Sequence, residues 1–229
     1  ILDWQEREQI YKDYSNQAIL NLEGKSPANH EGGREIVTVK LRAGELEPQT
    51  ETHTTTIYLS TCYPYRTILG EQICIDTDVY DQKSGEQACE PQDSYSFSSQ
   101  GAPVAVDEVE VRMKPSEDES RVIPELKIYI ENVGDGQIIR ESNYAEFCTG
   151  GSIDSDDINQ VEVRGEISGK SLKCRDKKIK LGQKRENFVR CTVPGGLQAR
   201  LGAYPASLQI EMDYGYSISM SRQVEIRKI

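Results

Sequence analysis

The chain is poor in the residues that most often carry catalysis. It has only two histidines, His30 and His53, and both lie in polar stretches. Nucleophilic catalysis usually needs a histidine beside a Ser or Cys, and acid–base chemistry near neutral pH most often recruits one. A G-x-S-x-G elbow, a P-loop, a G-x-G-x-x-G turn and an H-E-x-x-H pair are also missing. These absences predict a protein that is not an enzyme.

Positive charge is outnumbered, because 27 Lys and Arg stand against 38 Asp and Glu, and the chain has no dense basic block. Neutralising phosphates requires a dense basic face, so nucleic acid is excluded as an expected partner. The richest basic stretch, residues 173–185, alternates and is more typical of a solvated strand pair than of a binding patch. No apolar run approaches the roughly 20 residues of a membrane span. The chain starts Ile-Leu-Asp-Trp without a Met, so we expect membrane attachment only through a segment upstream.

The chain does contain six cysteines, and none of them forms a C-x-x-C pair. A zinc or redox site would need such pairs, so disulfides are the leading interpretation. Six cysteines allow 15 pairings. Short-loop closure favours two bridges and leaves a third: Cys74 with Cys89, Cys174 with Cys191, and Cys62 with Cys148. Disulfides predict an oxidising, extracellular setting, although no N-x-S/T sequon adds support for secretion.

The first segment has helical periodicity. Trp4, Tyr11 and Leu22 fall near one stripe, joined by Tyr14, and Gly24 follows. We predict a helix over about residues 3–22, within an N-terminal segment 1–24. Its apolar stripe has two interpretations: it packs against the first domain, or it continues an upstream helix as a stalk. In either case Trp4, Tyr11 and Tyr14 are the expected interaction residues.

Beyond residue 34 the apolar period changes from helical to two. Alternating runs begin at residues 35, 54 and 66, and seven more follow residue 104, separated by turn-rich stretches. Short strands at such spacing are typical of antiparallel sandwiches. The predicted fold is mainly β: two tandem immunoglobulin-like antiparallel β-sandwich domains, at 34–103 and 104–229, preceded by an N-terminal α-helix.

Two distant stretches of the chain are alike. CYPYRTILGEQICI (62–75) and DYGYSISMSRQVEI (213–226) each carry Tyr-x-Tyr followed by an alternating run. We interpret each as the closing strand pair of a sandwich, bent at Pro64 or Gly215, and the echo as a sign of two related modules. Chance similarity between two alternating hairpins is the competing explanation.

Two loops are rich in carboxylates at alternate positions, a pattern that can hold calcium. The candidate calcium ligands are Asp76, Asp78 and Asp81 in the first loop and Asp154, Asp156 and Asp157 in the second. Neither loop has the glycine turn and distal Glu of an EF-hand, and acidic tight turns explain both equally well.

Another local signal is NVGDGQ (132–137), in which Asp-Gly predicts a type I′ hairpin turn with glycine at positive φ.

ELKIYIENVGDGQII (125–139) resembles the strand–turn–strand core of CARDB-type domains, immunoglobulin-like modules of bacterial and archaeal surface proteins. QGAPVAVDEVEV (100–111) and CYPYRTILGEQICID (62–76) are similar to segments of archaeal cell-surface proteins of that kind. About a quarter of the chain is covered, and the shared motifs are structural. The resemblance implies an envelope-associated, disulfide-bearing β-sandwich and transfers no catalytic residue.

These observations predict a non-enzymatic subunit or ectodomain at the cell surface, which self-associates into a pilus-like filament or layer or binds other surface proteins. The alternative is an adhesion module for carbohydrate or protein, assisted by calcium. Its expected contacts are tyrosines: Tyr63, Tyr65, Tyr80, Tyr95, Tyr144, Tyr204, Tyr214 and Tyr216.

Overall fold

The computed structural model of the chain describes most of its residues from 45 onward and short pieces before that. The described residues are 2–3, 19–22, 33–37, 42–43, 45–79, 87–98, 100–182 and 187–228.

Strands dominate the described residues, as predicted. In chain order they are β1 Leu2–Asp3, β2 Arg42–Ala43, β3 Thr52–Asp76, β4 Ser94–Ser96, β5 Val104–Pro115, β6 Arg121–Asn132, β7 Gln137–Ile139, β8 Gln160–Ile167, β9 Lys170–Ser171, β10 Lys173–Cys174, β11 Lys178–Lys180, β12 Phe188–Thr192, β13 Leu197–Gln198 and β14 Ala203–Arg227. A short helix α1 covers Tyr144–Cys148, and single 3-10 turns lie at Glu141–Asn143 and Ser155–Asp157.

Two six-stranded antiparallel sheets form the body of the fold. The first has the order β10-β12-β6-β5-β4, with β13 beside β6. The second has the order β11-β8-β14-β3, with β7 beside β14 and β9 beside β8. β1 and β2 form a separate two-stranded pair. The mainly β, sandwich-like prediction is therefore confirmed.

Period-two alternation explains why these strands pack as they do. In β6, Val122, Leu126, Ile128 and Ile130 are fully buried at alternate positions, while the residues between them are more exposed. Alternate side chains of a strand point to opposite faces, so such a strand gives one face to the core. The buried cluster draws on both sheets, with Leu208 and other β14 residues facing the same interior.

The two longest strands, β3 and β14, contain 25 residues each and are neighbours in the second sheet. Their contacts run in opposite directions: Lys228 N donates to Glu51 O at 2.8 Å, whereas Ser60 Oγ lies 2.7 Å from Ser219 Oγ. The Tyr-x-Tyr stretches thus lie side by side in one sheet. Tandem immunoglobulin-like modules are not confirmed.

The predicted bends at Pro64 and Gly215 are wrong, because both strands continue through these residues. A proline is tolerated inside a strand where its missing N–H would have pointed away from the neighbouring strand. Alternate residues of β3, counted from Glu51, face β14. Pro64 falls in the other set, so no ladder hydrogen bond to β14 is lost.

Two further segments differ from expectation. One of the seven runs after residue 104, over 137–148, is predicted as a strand; the strand ends at Ile139 and gives way to the 3-10 turn and α1. Within the predicted helix 3–22, Asp3 belongs to β1 and residues 19–22 have no regular secondary structure. The other residues of that helix, with Trp4, Tyr11 and Tyr14, lie outside the described residues.

The chain divides into two compact units, and the domains at 34–103 and 104–229 stay a prediction. One unit comprises Ile1–Leu59 and Met220–Ile229, and the other comprises Ser60–Ser219. The second unit holds the buried cluster described above. The first contains the β1–β2 pair together with the Thr52–Leu59 part of β3 and the Met220–Arg227 part of β14.

Candidate functional site

The paired Tyr-x-Tyr stretches form a cluster of four rings. Tyr65 stacks on Tyr214 with ring centroids 5.5 Å apart, and Tyr63 lies 6.0 Å from Tyr216. Within each strand the neighbouring rings are 5.9 and 6.4 Å apart. Offset and tilted aromatic pairs at these distances stabilise a sheet beyond the area that they bury. Tyr214 and Tyr216 are fully buried, so these two rings belong to the core and are closed to a glycan. Tyr63 and Tyr65 pack against them and are partly exposed.

Hydrogen bonds fix the hydroxyl of Tyr214. It accepts from Val104 N at 3.2 Å and shares a hydrogen bond of 2.9 Å with Thr67 Oγ1, which in turn donates to Val104 O. Burial raises the pKa of Tyr214 strongly, against the smaller opposing effects of these two partners. Burial also raises the pKa of Tyr63, helped by the nearby rings of Tyr216 and Tyr65. Both hydroxyls are therefore held in the neutral form.

The hydroxyl of Tyr216 explains the glycines of NVGDGQ. It accepts a hydrogen bond of 2.6 Å from Gly136 N. A Cβ on Gly134 would lie 2.2 Å from that hydroxyl oxygen, and a Cβ on Gly136 would lie 2.6 Å from the ring Cζ. The predicted type I′ hairpin is wrong: this turn joins β6 of the first sheet to β7 of the second. Glycine is needed for the close approach of a ring, since neither residue has a positive φ.

A buried carboxylate on the second sheet lies between two arginines. Asp213 is 3% exposed, and its Oδ1 accepts from Arg66 Nε at 2.6 Å. Its Oδ2 accepts from Arg164 Nη2 on the neighbouring strand β8. Asp213, chiefly through its hydrogen bond, raises the pKa of Arg66. Because two guanidinium groups already bind both oxygens, this carboxylate serves as a cross-strand tie.

The second acidic loop uses its carboxylates in the same structural way. Asp157 is buried, and its oxygens lie 2.7 Å from Arg140 Nη1 and 2.5 Å from Asn143 Nδ2. Asp154 caps the 3-10 turn by accepting from Asp156 N, and Asp156 pairs with Lys180 at 3.2 Å. The three carboxylates thus have separate protein partners.

The first acidic loop is described only in part. Asp76 Oδ1 accepts from Asp78 N at 2.8 Å, which is an Asx-type turn. Asp81 lies outside the described residues. In the part of the chain that the structure covers, no three His, Cys, Asp or Glu side chains come together as metal ligands. Calcium binding stays a prediction.

All six cysteines are in disulfides, in the two pairs favoured by loop closure and the third pair that these leave. Cys74 joins Cys89, Cys174 joins Cys191 across the β10–β12 pair, and Cys62 joins Cys148. Cys62–Cys148 ties β3 to the end of α1 and bridges the largest sequence separation, 86 residues. Three disulfides suggest an oxidising, extracellular-type environment.

Pattern reading alone missed a cluster on the outer face of the first sheet. Lys127 Nζ lies 4.4 Å from the ring centroid of Tyr129 and 4.3 Å from that of Phe188. Tyr129 donates to Glu110 Oε1 at 2.5 Å, and this hydrogen bond is the main reason that the pKa of Glu110 is lowered. The hydrogen bond from Lys127 to Tyr129 is the main reason that the pKa of Lys127 is raised. Only the register of three strands places these residues together.

The remaining predicted contacts are dispersed. Tyr95 accepts from Cys74 N at 3.0 Å and donates to Cys74 O at 2.8 Å, which is a structural role. His53 is exposed in β3, whereas His30 and Tyr80 lie outside the described residues. In the chain as far as it is described, no helix has the length and apolarity needed to cross a bilayer.

No protein-family model, curated protein or solved structure matches this chain. The CARDB-type resemblance therefore rests on the quoted segments alone and stays an expectation.

Proposed function

We propose that this chain is a non-enzymatic structural subunit or ectodomain at the cell surface, and that copies of it associate with one another. The observation that carries the proposal is the use made of its buried polar groups. Thr67, Thr77, Asp157 and Asp213 are buried, and each is hydrogen bonded to groups of the protein itself. A catalytic group must present a donor or acceptor to substrate, whereas these four are buried and directed at protein partners.

The disulfides support the same role. A cross-link between distant residues restricts the unfolded chain, and the effect grows with the length of the closed loop. The Cys62–Cys148 bridge closes a separation of 86 residues. Such bonds suit a protein that must persist outside the cell, where no chaperone refolds it.

The test is to image the protein on its native surface and after purification by electron microscopy. The proposal expects ordered oligomers, filaments or a layer in both preparations, and loss of that order after reduction of the disulfides. Discrete monomers in both preparations would contradict the self-association. Reproducible turnover of a substrate by the purified protein would contradict the non-enzymatic assignment.

A second candidate is an adhesion module, favoured by the outer face of the first sheet. Tyr129 and Phe188 lie beside each other there with ring centroids 5.6 Å apart, and both are partly exposed. Half-exposed rings flanked by charged side chains such as Glu110 and Arg190 suit the apolar faces and hydroxyls of a sugar.

A glycan array distinguishes the two candidates. The adhesion function expects binding by the native protein that is lost in Phe188→Ala and retained in Tyr58→Ala, whose ring is 72% exposed elsewhere in the chain. Repeating the array with a chelator tests the predicted calcium dependence. Equal binding by both variants would contradict an adhesion site on this sheet face.

A further inference from the structure

Among the residues that the structure describes, the segment Thr52–Leu59 of β3 is a sheet edge without the usual protection against pairing. Within the described residues, β3 pairs with β14 alone. Lys228 N donates to Glu51 O, so Glu51 and each second residue after it direct their backbone groups toward β14. The intervening residues, Thr52, Thr54, Thr56 and Tyr58, direct their N–H and C=O groups outward.

The other sheet edges in the described ranges are short or charged. β4 has three residues, β10 has two and carries Lys173, and β11 is Lys178-Ile179-Lys180. Short strands and edge lysines are the usual devices that prevent a sheet from pairing with another chain. β3 has neither, because it is 25 residues long and carries no charged residue from Thr52 to Tyr65.

Charge makes this edge the place at which a second copy of this chain meets the least repulsion. Each molecule has a formal net charge of -11, so two copies repel wherever acidic surfaces meet. Thr52–Leu59 has no acidic residue, and its Thr and Ile residues suit a pleated strand. An antiparallel pair of identical edges about a two-fold axis satisfies the outward groups of both chains at once.

We propose that Thr52–Leu59 is the surface through which two copies of this chain pair, edge to edge and antiparallel. This inference rests on the proposed structural role and gives that role a specific contact.

Sedimentation equilibrium over a range of protein concentrations tests the pairing with two matched variants. Thr54→Lys places a charge on the exposed edge strand, and two such lysines repel across the pair. Ser221→Lys adds the same charge at an exposed position of β14, which already carries Arg222, Glu225 and Arg227. The expected result is a dimer whose dissociation constant rises at least about tenfold in Thr54→Lys and changes less than about twofold in Ser221→Lys. Circular dichroism and thermal unfolding establish that both variants are folded.

Amide hydrogen exchange by NMR gives an independent readout. The outward amides of Thr54, Thr56 and Tyr58 should gain protection as protein concentration rises, whereas those of Thr55 and Ile57 should be protected at every concentration. The pairing is overturned by a wild-type protein that stays monomeric up to about 1 mM. It is also overturned if the amides of Thr54, Thr56 and Tyr58 are already protected in the monomer. An equal rise of the dimer dissociation constant in the two variants would overturn it too.

These outcomes are separate from those of the proposed function. Native assemblies that persist in Thr54→Lys would leave the structural role standing and remove this pairing surface. A wild-type dimer lost in Thr54→Lys, without any larger assembly by microscopy, would keep the surface and limit the role to a dimer.

Discussion

The two ends of the long strands β3 and β14 are built in opposite ways. From Thr67 to Ile75, β3 buries Thr67, Leu69, Ile73, Cys74 and Ile75, whereas from Thr52 to Thr61 it buries no residue. In β14 the residues from Met212 to Ser217 are all buried, and Ile218 to Gln223 are all exposed. Toward its end, β14 buries one further residue, Ile226. Among the described residues, one end of the strand pair is thus densely buried and the other is mostly exposed. Strand formation and core formation are therefore separable within a single strand.

The largest expected effect tests what holds the packed end together. Replacing both Cys62 and Cys148 by Ala should lower the free energy of unfolding by about 4–5 kcal/mol, because the bridge closes 86 residues. The matched double replacement at Cys174 and Cys191, which are 17 residues apart, should cost about 3 kcal/mol. Urea unfolding measures both. If removing Cys174–Cys191 lowered the free energy of unfolding more than removing Cys62–Cys148, chain entropy would not determine which disulfide stabilises more.

The next comparison sets a packed leucine against an exposed one. Leu208→Ala in β14 should lower the free energy of unfolding by about 2–5 kcal/mol, because Leu208 is fully buried. Leu59→Ala in β3 should change it by less than about 0.5 kcal/mol, since Leu59 is 55% exposed. Both are measured in urea at low protein concentration. Similar losses would contradict the contrast between the two ends.

A pair of glycines gives a smaller effect. Gly136→Ala should cost about 1–3 kcal/mol, because its Cβ would lie 2.5 Å from Ser217 O and 2.6 Å from the Tyr216 ring. Gly70→Ala in β3 should be neutral or slightly stabilising, since no atom lies within 4 Å of its Cβ position. Thermal unfolding of the two variants makes the comparison. If Gly136→Ala left the stability unchanged, the turn between β6 and β7 would tolerate displacement of Tyr216.

The smallest effect appears only at high pH. Tyrosine in an unfolded chain titrates near pH 10, and burial raises the pKa of Tyr214 in the folded protein. Below pH 10 both states keep the proton. Above it the unfolded state loses protons that the folded state retains, so stability falls by up to about 1.4 kcal/mol per pH unit for this group.

Tyr214→Phe should remove that share of the slope, as measured by urea unfolding from pH 9 to about 11. Leu208→Ala is the control, because it lowers stability by the same amount at every pH in this range. An unchanged slope in Tyr214→Phe would contradict the assignment to this hydroxyl.

Local alternation and spacing were sufficient to predict much of the packed part. β5, β6 and β8 fall where apolar residues alternate, and short-loop closure selects the disulfide pairs. Pairing between distant segments was not predictable, because an antiparallel partner leaves the same alternating pattern as a repeated module. The echo at residues 62–75 and 213–226 therefore gave no sign that these two stretches lie side by side.

The ion pairs of buried carboxylates could not be predicted from the sequence for a related reason. Asp213 meets Arg66 and Arg164 only after three strands are in register, and Asp157 meets Arg140 only after the chain has turned at the 3-10 segments. From the sequence, Asp157 was a candidate calcium ligand and Asp213 was not singled out. The partner that neutralises each one is set by the fold.

Pro64 removes one hydrogen-bond donor from the edge of β3 that faces away from β14. Its nitrogen carries no hydrogen, and it belongs to the residues whose backbone groups point away from β14. If another strand paired with β3 from Thr52 onward, one hydrogen bond would be missing at Pro64, which lies about 40 Å along an extended chain. Pro64 thus weakens any extension of the proposed pairing beyond Thr52–Leu59 along the edge of β3.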